Sequence, residues 1–392
     1  MAPKLEAYLL DWVALLLRWA HVIVGIAWIG ASFYFIWLDN RLEPARDPAL
    51  AGELSAIHGG GFYRVQKYRL APDELPARLH WFKWEAYWTW MTGFGLLVAL
   101  YYANAELYLI DPSVMPLSKY AAIGIGLGSL IVSSISYEAI CRSPLGKDDS
   151  VLSFSLLVFA ALLAWGLAQV FSGRGAFIHF GAVLGTLMVG NVGHVIIPGQ
   201  RRMVEAMKAG REPDARDALL GKQRSVHNTY FTLPVVFTMI AGHSATSFGH
   251  RWSWLLLVAL TLAGALIRVW FVQRHRGAAQ AWVLGAGLLF VVVAMILVSP
   301  RTVTQGPAVG FEEVQRIIEQ RCLSCHAEKP TLPGLAEAPK GVKLDTPERI
   351  RTLAVQIHQQ SVLSRAMPPG NLTGLTGEER QQLDRWYRAG AK

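Results

Sequence analysis

Apolar runs long enough to cross a membrane recur from Tyr8 to Ser299, and they constrain the fold more than any other feature of the sequence. A bilayer core about 30 Å thick needs roughly twenty apolar residues in one helix. Eight such stretches are predicted: 9–38, 86–104, 120–140, 151–171, 176–197, 228–248, 253–273 and 279–298. Only 17% of the residues are charged, whereas a soluble domain carries roughly a quarter. The predicted fold is therefore all-α: an eight-helix transmembrane bundle in residues 1–300, followed by a separate tail in residues 301–392.

The distribution of Lys and Arg over the loops predicts the orientation of this bundle. The odd-numbered loops contain eighteen of these residues, whereas the N-terminal segment and the even-numbered loops contain four. Because cytoplasmic loops carry the excess of positive charge, both termini are predicted to be periplasmic, in a bacterial inner membrane. The first apolar run is too long for a signal peptide and is predicted to be a membrane helix. A net charge of +9 distributed in this way does not indicate nucleic-acid binding.

The tail contains a haem-attachment motif. Cys322, Cys325 and His326 form a C-x-x-C-H sequence, in which two thiols reach the vinyl groups of one porphyrin and the histidine binds its iron. Met367 is the only methionine of the tail and is predicted to be the second iron ligand, since Met/His ligation is common in c-type cytochromes. His358 is the alternative ligand. No second cysteine pair supports a zinc site, so the tail is predicted to be a small class I-type cytochrome c domain with one covalent haem c.

Ionisable and polar side chains inside predicted spans are costly and usually mark function. They are Arg18, His21, Glu138, His179, Asn191, His194, His227, His243 and Arg268. If the fifth and sixth spans are antiparallel neighbours, His179 lies level with His243 near the outer surface. His194 then lies level with His227 near the inner surface, about 22–24 Å away. This arrangement predicts one or two b-type haems, with His21 as a substitute ligand; alternatively, some of these histidines only form hydrogen bonds between helices.

Two sequence patterns resemble the bacterial membrane-bound urate oxidase family. The first helix reads R-W-x-H-x-x-x-G-x-x-W-I-G-x-x-F, and residues 227–234 read H-N-T-Y-F-T-L-P. With the eight spans and the haem tail, the resemblance covers essentially the whole chain. It implies oxidation of urate to 5-hydroxyisourate, with electrons passing to haem c and not directly to O₂. It also implies membrane lipid as the surroundings and a soluble cytochrome c or a terminal oxidase as the onward electron acceptor.

Candidate residues for urate follow from the chemistry of a planar anion. Arg offers paired donors in a fixed plane, so Arg18 and Arg268, with the amide of Asn191, are predicted to anchor the substrate. Glu138 or His80 is predicted to accept a proton. Two other functions remain open at this point: a quinol-linked b/c-type cytochrome that conducts electrons, and a transporter with a regulatory haem tail, although no repeated or broken-helix pattern supports a transporter.

Overall fold

The computed structural model describes residues 2–242, 244–250, 252–299, 306–307, 309–333 and 335–392. In chain order its elements are α1 (Ala2–Asp39), β1 (Leu50–His58), β2 (Gly61–Tyr68), α2 (Trp84–Leu96), α3 (Ala105–Tyr108), α4 (Lys119–Arg142), α5 (Asp149–Ala168), α6 (Gly173–Gly190), α7 (Ile197–Lys208), α8 (Ala215–Ala241), α9 (Ala245–Phe248), α10 (Ser253–His275), α11 (Ala281–Leu297), α12 (Phe311–Arg321), α13 (Leu323–His326), α14 (Pro347–Thr352), α15 (Ala354–Ile357) and α16 (Gly377–Arg388). Most described residues are therefore helical, as predicted.

Five helical segments of the described chain are long and apolar enough to cross a membrane. They are Tyr8–Asp39, Lys119–Arg142, Asp149–Ala168, Gly173–Lys208 and Ser253–His275. This number is compatible with a multi-pass membrane protein. The other three predicted stretches coincide with α2, α8 and α11, of which α11 is only 17 residues long. That these three helices also cross the membrane stays a prediction.

Helix α6 lies at the centre of the bundle and contacts α2, α4, α5 and α8. Its apolar side chains, including Phe177, Phe180 and Leu184, are almost completely buried. A helix that is apolar around its circumference is expected to be surrounded by other helices. Close approach is possible because small residues face the contacts: a Cβ at Gly181 would overlap the side chain of Thr238 on α8. The core therefore forms around α6.

Two π-helical turns interrupt the bundle helices. One, Leu97–Tyr102, continues α2, and the other, Asn191–Ile196, joins α6 to α7. Such turns are often found at functional sites because they reorient side chains within a helix. They place Tyr102 and Asn191 in the buried interior of the bundle.

An antiparallel hairpin, β1–β2, departs from the predicted all-α fold. It lies in the first loop, between α1 and α2, and turns at Gly59 and Gly60, which have φ values of +57° and +81°. A two-residue turn with both φ values positive suits the twist of a hairpin and favours glycine. Lys67 forms an ion pair of 2.7 Å with Asp39 at the end of α1. The hairpin is thus attached to the end of the first helix.

The tail packs on the opposite end of the bundle from the odd-numbered loops. Arg276 donates to the side chain of Asn40 at 2.6 Å, so the first and seventh loops lie at one end. The turn Pro369–Asn371 of the tail contacts α3, which belongs to the second loop. The tail and the even-numbered loops therefore share one end of the helices. Within the tail, α12 packs on α16, with Ile318, Leu383 and Trp386 almost completely buried between them.

Candidate functional site

The C-x-x-C-H motif lies where α12 ends and the short helix α13 begins. The Nδ1 atom of His326 donates to the carbonyl oxygen of Val342 at 2.9 Å. A histidine that binds a metal typically donates its other ring nitrogen in this way, which fixes the ring and the tautomer. Arg321 contacts Glu379 at 3.0 Å and donates to the Thr373 carbonyl at 2.8 Å, so the motif is tied to the loop before α16. Because Nδ1 is engaged by Val342, Nε2 is the ring nitrogen of His326 that could bind a metal.

Met367 and the motif line the same small pocket. Cys322, Cys325 and His326 contribute to its wall together with Met367. Arg380 holds the methionine segment, since its guanidinium donates to the carbonyl oxygen of Met367 at 2.9 Å. Burial lowers the pKa of Arg380 to about 10, so the group remains protonated at neutral pH. The donor set of two thiols, an imidazole and a thioether fits a covalently bound c-type haem.

His358 lies away from this pocket. Its Nε2 atom contacts the carboxylate of Asp384 at 2.7 Å, and its ring stacks on Tyr387 with centroids 4.1 Å apart. The contact geometry therefore favours Met367 over His358 as the second ligand. Within the described chain no group of three or more His, Cys, Asp or Glu side chains could hold a metal. A haem site with one histidine and one methionine does not require such a group.

The small pocket lined by the motif and Met367 adjoins a cavity of about 1550 Å³ between the tail and the end of the bundle. Cys325, His326 and Met367 lie on the tail side. The bundle side is formed by residues of the second, fourth and sixth loops and of the first turn of α6. The aromatic residues among them are Tyr108, Phe171 and Phe248. The predicted haem ligands therefore lie on the side of the tail that faces the bundle.

Arg174, at the start of α6, is the cation on the bundle side of this cavity that sequence reasoning counted only as a loop charge. It donates to the carbonyl oxygen of Gly242 at 2.6 Å. Its guanidinium carbon lies 5.2 Å from the ring centroid of Tyr108 and 5.4 Å from that of Phe248. The Nε atom is buried and has no hydrogen-bond partner among the described residues. The side chain is therefore held in place with one donor unused.

A second group of polar residues is buried among α4, α6 and α8. The hydroxyl of Tyr137 lies 2.7 Å from Nδ1 of His227 and accepts a hydrogen bond from Asn191 at 2.9 Å. Asn191 also donates to the side chain of Asn228 at 2.8 Å, and Asn228 donates to the carbonyl oxygen of Met188 at 3.0 Å. The structure thus brings the predicted residues Asn191 and His227 together. The sequence analysis missed Tyr137 and Asn228, although each is adjacent to a predicted residue.

Glu138 joins this group through Arg224. Arg224 is 2% exposed and lies 3.0 Å from Glu138, which also pairs with Arg142 at 2.6 Å. The guanidinium of Arg224 lies over the ring of Tyr137 at 5.1 Å. Its Nε and Nη1 atoms have no hydrogen-bond partner in the described part of the chain. The carboxylate of Glu138 is therefore already paired with two arginines.

His179 is completely buried, and both of its ring nitrogens have partners. Nδ1 donates to the carbonyl oxygen of Gly175 at 2.9 Å, and Nε2 lies 3.1 Å from the hydroxyl of Tyr102. Space at this point is small, because a Cβ at Gly126 would lie 2.5 Å from Nε2. His179 therefore does not fit an iron ligand in this arrangement. A b-type haem stays a prediction, and its other proposed outer ligand, His243, lies outside the described residues.

The remaining predicted site residues are dispersed over the bundle. His21 contacts the hydroxyl of Thr92 at 3.0 Å, and His194 is exposed. Arg18 is exposed on α1, and His80 is exposed beside Phe82 before α2. Arg268 is buried, with its guanidinium 4.1 Å from the ring centroid of Phe33 and with Nε and Nη2 lacking partners among the described residues. In the part of the chain that the structure describes, these five residues do not form one site.

The comparisons with known proteins bear on the bundle. A family model described as urate oxidase N-terminal matches residues 7–299. Neither the curated proteins nor the solved structures include a match. The matched region spans every apolar helix, the buried polar group and the bundle side of the cavity, and it ends before the haem-attachment motif. Since the match covers most of the chain, the protein belongs to the urate oxidase N-terminal family.

Proposed function

We propose that this protein is a membrane-bound oxidoreductase that oxidises urate to 5-hydroxyisourate and passes the electrons to a c-type haem in its own tail. Membership of the urate oxidase N-terminal family supports urate oxidation. The observation that carries the electron-transfer part is the position of His326 and Met367 on the wall of a cavity whose other wall belongs to the matched region. This position supports electron transfer from the urate oxidase N-terminal region to the tail.

The reaction balances with water as the source of the added oxygen. Urate and one water give 5-hydroxyisourate, two protons and two electrons. A haem c, when bound, accepts one electron at a time, so two transfers complete each turnover. Dioxygen is not consumed in this step, and hydrogen peroxide is not formed.

The residues of the tail have defined roles in this proposal. Cys322 and Cys325 would tether the porphyrin, and His326 and Met367 would bind its iron. The contact from His326 to Val342 orients the imidazole, and Arg380 holds the carbonyl oxygen of Met367. Such supporting contacts keep ligands in place and tune the metal.

The proposal also includes a membrane location and an onward electron acceptor. Eight helices cross the inner membrane, and the tail lies in the periplasm, where haem is attached to c-type cytochromes. A soluble cytochrome c or a terminal oxidase then takes the electrons from the tail. The contact between the tail and the even-numbered loops, which carry few positive charges, is consistent with this orientation.

The test is anaerobic addition of urate to the purified full-length protein in detergent. We expect the absorbance of reduced haem c to appear with urate and not with xanthine or a quinol. We also expect 5-hydroxyisourate without hydrogen peroxide. The proposal fails if haem c stays oxidised under these conditions and urate is consumed only after O₂ is admitted. Reduction by quinol alone would instead identify an electron conduit without purine specificity.

A further inference from the structure

We infer that urate binds in the cavity between the tail and the bundle, anchored by Arg174, so that it lies directly beside haem c. This inference rests on the proposed function and adds the location of the substrate. Four observations support it: the size of the cavity, the geometry of Arg174, the distribution of charge and the aromatic wall.

The size of the cavity indicates more than one occupant. Its volume of about 1550 Å³ exceeds the range of roughly 300–1,000 Å³ for a pocket that holds one small molecule or cofactor. A haem tethered by Cys322 and Cys325 would occupy the tail side. The remaining space lies toward the bundle, against the region that matches the urate oxidase family.

Arg174 presents its guanidinium at this position. Its contact with the Gly242 carbonyl and its position over Tyr108 and Phe248 fix the guanidinium plane. Arg174 is half-buried and lines the cavity, so part of its guanidinium is open to a ligand, although its Nε is enclosed by protein. A planar urate anion suits this position, because its oxygen and nitrogen acceptors match the donors of a guanidinium.

The charge of the cavity favours an anion on the bundle side as well as on the tail side. Lys340, Arg365 and Arg380 line the cavity from the tail, where they can balance the propionates of a haem. Arg174 comes from the bundle, at the far side from these groups. Asp111 is the one carboxylate on the described wall. An anionic purine can therefore be accommodated beside an anionic porphyrin.

The aromatic side chains at the cavity suit a flat purine, and His179 packs behind one of them. Phe171 borders the cavity but is only 1% exposed, and it stacks on His179 with centroids 4.6 Å apart and planes inclined by 14°. The hydrogen bonds of His179 to Gly175 and Tyr102 fix this stack. Planar rings stack favourably at such distances. His179 is thus assigned as a positioning residue behind the substrate wall.

The buried polar group among α4, α6 and α8 is the competing location for urate. There, however, Asn191, Asn228 and Tyr137 are hydrogen-bonded to one another, and Arg224, although its Nε and Nη1 lack partners among the described residues, is already paired with Glu138. A urate anion would have to displace these contacts and overcome the repulsion of Glu138. The cavity at Arg174 requires no such displacement, and it places urate beside the electron acceptor without an intermediate carrier.

The test measures urate binding to dithionite-reduced protein, which cannot accept electrons, by equilibrium dialysis. Arg174→Gln and Arg174→Lys are each expected to raise the Kd for urate at least tenfold, because Lys keeps the charge but loses the planar fork. The visible spectrum and midpoint potential of haem c should not change. Arg316→Lys, on the exposed face of α12, is the matched control and should bind urate as the wild type does.

A second variant guards against misfolding at Arg174. Phe248→Leu removes one aromatic ring from the wall and leaves Arg174 in place, and it should also weaken urate binding. Wild-type affinity in both Arg174 variants would overturn the inference, as would loss of binding in Arg224→Lys with binding retained in Arg174→Gln. If wild-type protein shows no urate-driven reduction of haem c, the proposed function itself fails.

Discussion

The Nδ1 atom of His326 donates a hydrogen bond to the carbonyl oxygen of Val342, sixteen residues along the chain, at 2.9 Å. This contact fixes the imidazole with Nε2 directed away from the backbone that holds it. The motif residues and Met367 then share one pocket. These contacts fit the proposed c-type haem site.

Removing both thiols should remove the haem. Cys322→Ala combined with Cys325→Ala leaves no atom for a covalent bond to the porphyrin, so no haem-stained band is expected on a denaturing gel. Urate-driven reduction at the tail should be lost as well. A haem-stained band in the double variant would contradict the assignment, and expression of each single variant controls for protein yield.

Met367→Ala should abolish the weak near-infrared band from sulfur to iron and lower the haem potential, because Met ligation raises it. His358→Ala is the matched comparison. It should retain the band but destabilise the tail by about 1–3 kcal/mol, since it leaves buried Asp384 without one of its partners. Optical spectra, redox titration and thermal unfolding separate the two effects. Loss of the band in His358→Ala with retention in Met367→Ala would reverse the ligand assignment.

Gly126→Ala should destabilise the bundle around His179. The added Cβ would lie 2.5 Å from Nε2 of His179 and 2.9 Å from the hydroxyl of Tyr102, and overpacking typically costs about 1–3 kcal/mol. A lower unfolding temperature in detergent is expected. Gly128→Ala, on the same helix, has no atom within 4 Å of its new Cβ and should unfold like the wild type. Equal unfolding temperatures of Gly126→Ala and Gly128→Ala would show that the space around His179 is not tightly packed.

Gly370→Ala should loosen the tail from the bundle. This glycine has a φ of +55°, and a Cβ there would lie 2.5 Å from the carbonyl oxygen of Ile110. Both features disfavour alanine. We expect slower urate-driven reduction of haem c in stopped-flow measurements, with an unchanged haem spectrum.

The control for this variant is Gly377→Ala. Gly377 begins α16, and nothing lies within 4 Å of a Cβ built there. Its rate of haem reduction should equal that of the wild type. An unchanged rate in Gly370→Ala would mean that the close contact of tail and bundle is not needed for electron transfer.

Much of this protein can be predicted from local sequence. Apolar runs predict helices because buried backbone groups must satisfy their own hydrogen bonds, and helices occur at each of the eight stretches. The haem motif is equally local, since two thiols and an imidazole act within five residues. The hairpin was missed although Gly59 and Gly60 signal a turn, because its strands carry too many polar residues to stand out between two apolar helices.

Long-range relationships needed the tertiary structure. Polar residues in apolar spans were identified by the cost of burying them, but that cost does not reveal the partner. His179 could have faced iron or protein, and only the fold places Tyr102, Gly175 and Phe171 around it. Glu138 and Asn191 do lie in one buried group, whereas Arg18 and His80 lie on exposed surfaces away from it.

The sequence by itself determined the helical bundle, its charge asymmetry and the haem-attachment motif, because each depends on residues close together in the chain. Only the tertiary structure decided that Arg174 faces the tail across a cavity. In the sequence, Arg174 is one of 37 Lys and Arg residues and lies in a predicted loop. It becomes a candidate anchor because folding brings Tyr108, Gly242 and Phe248 around it at the wall of the cavity, which is a property of packing and not of sequence.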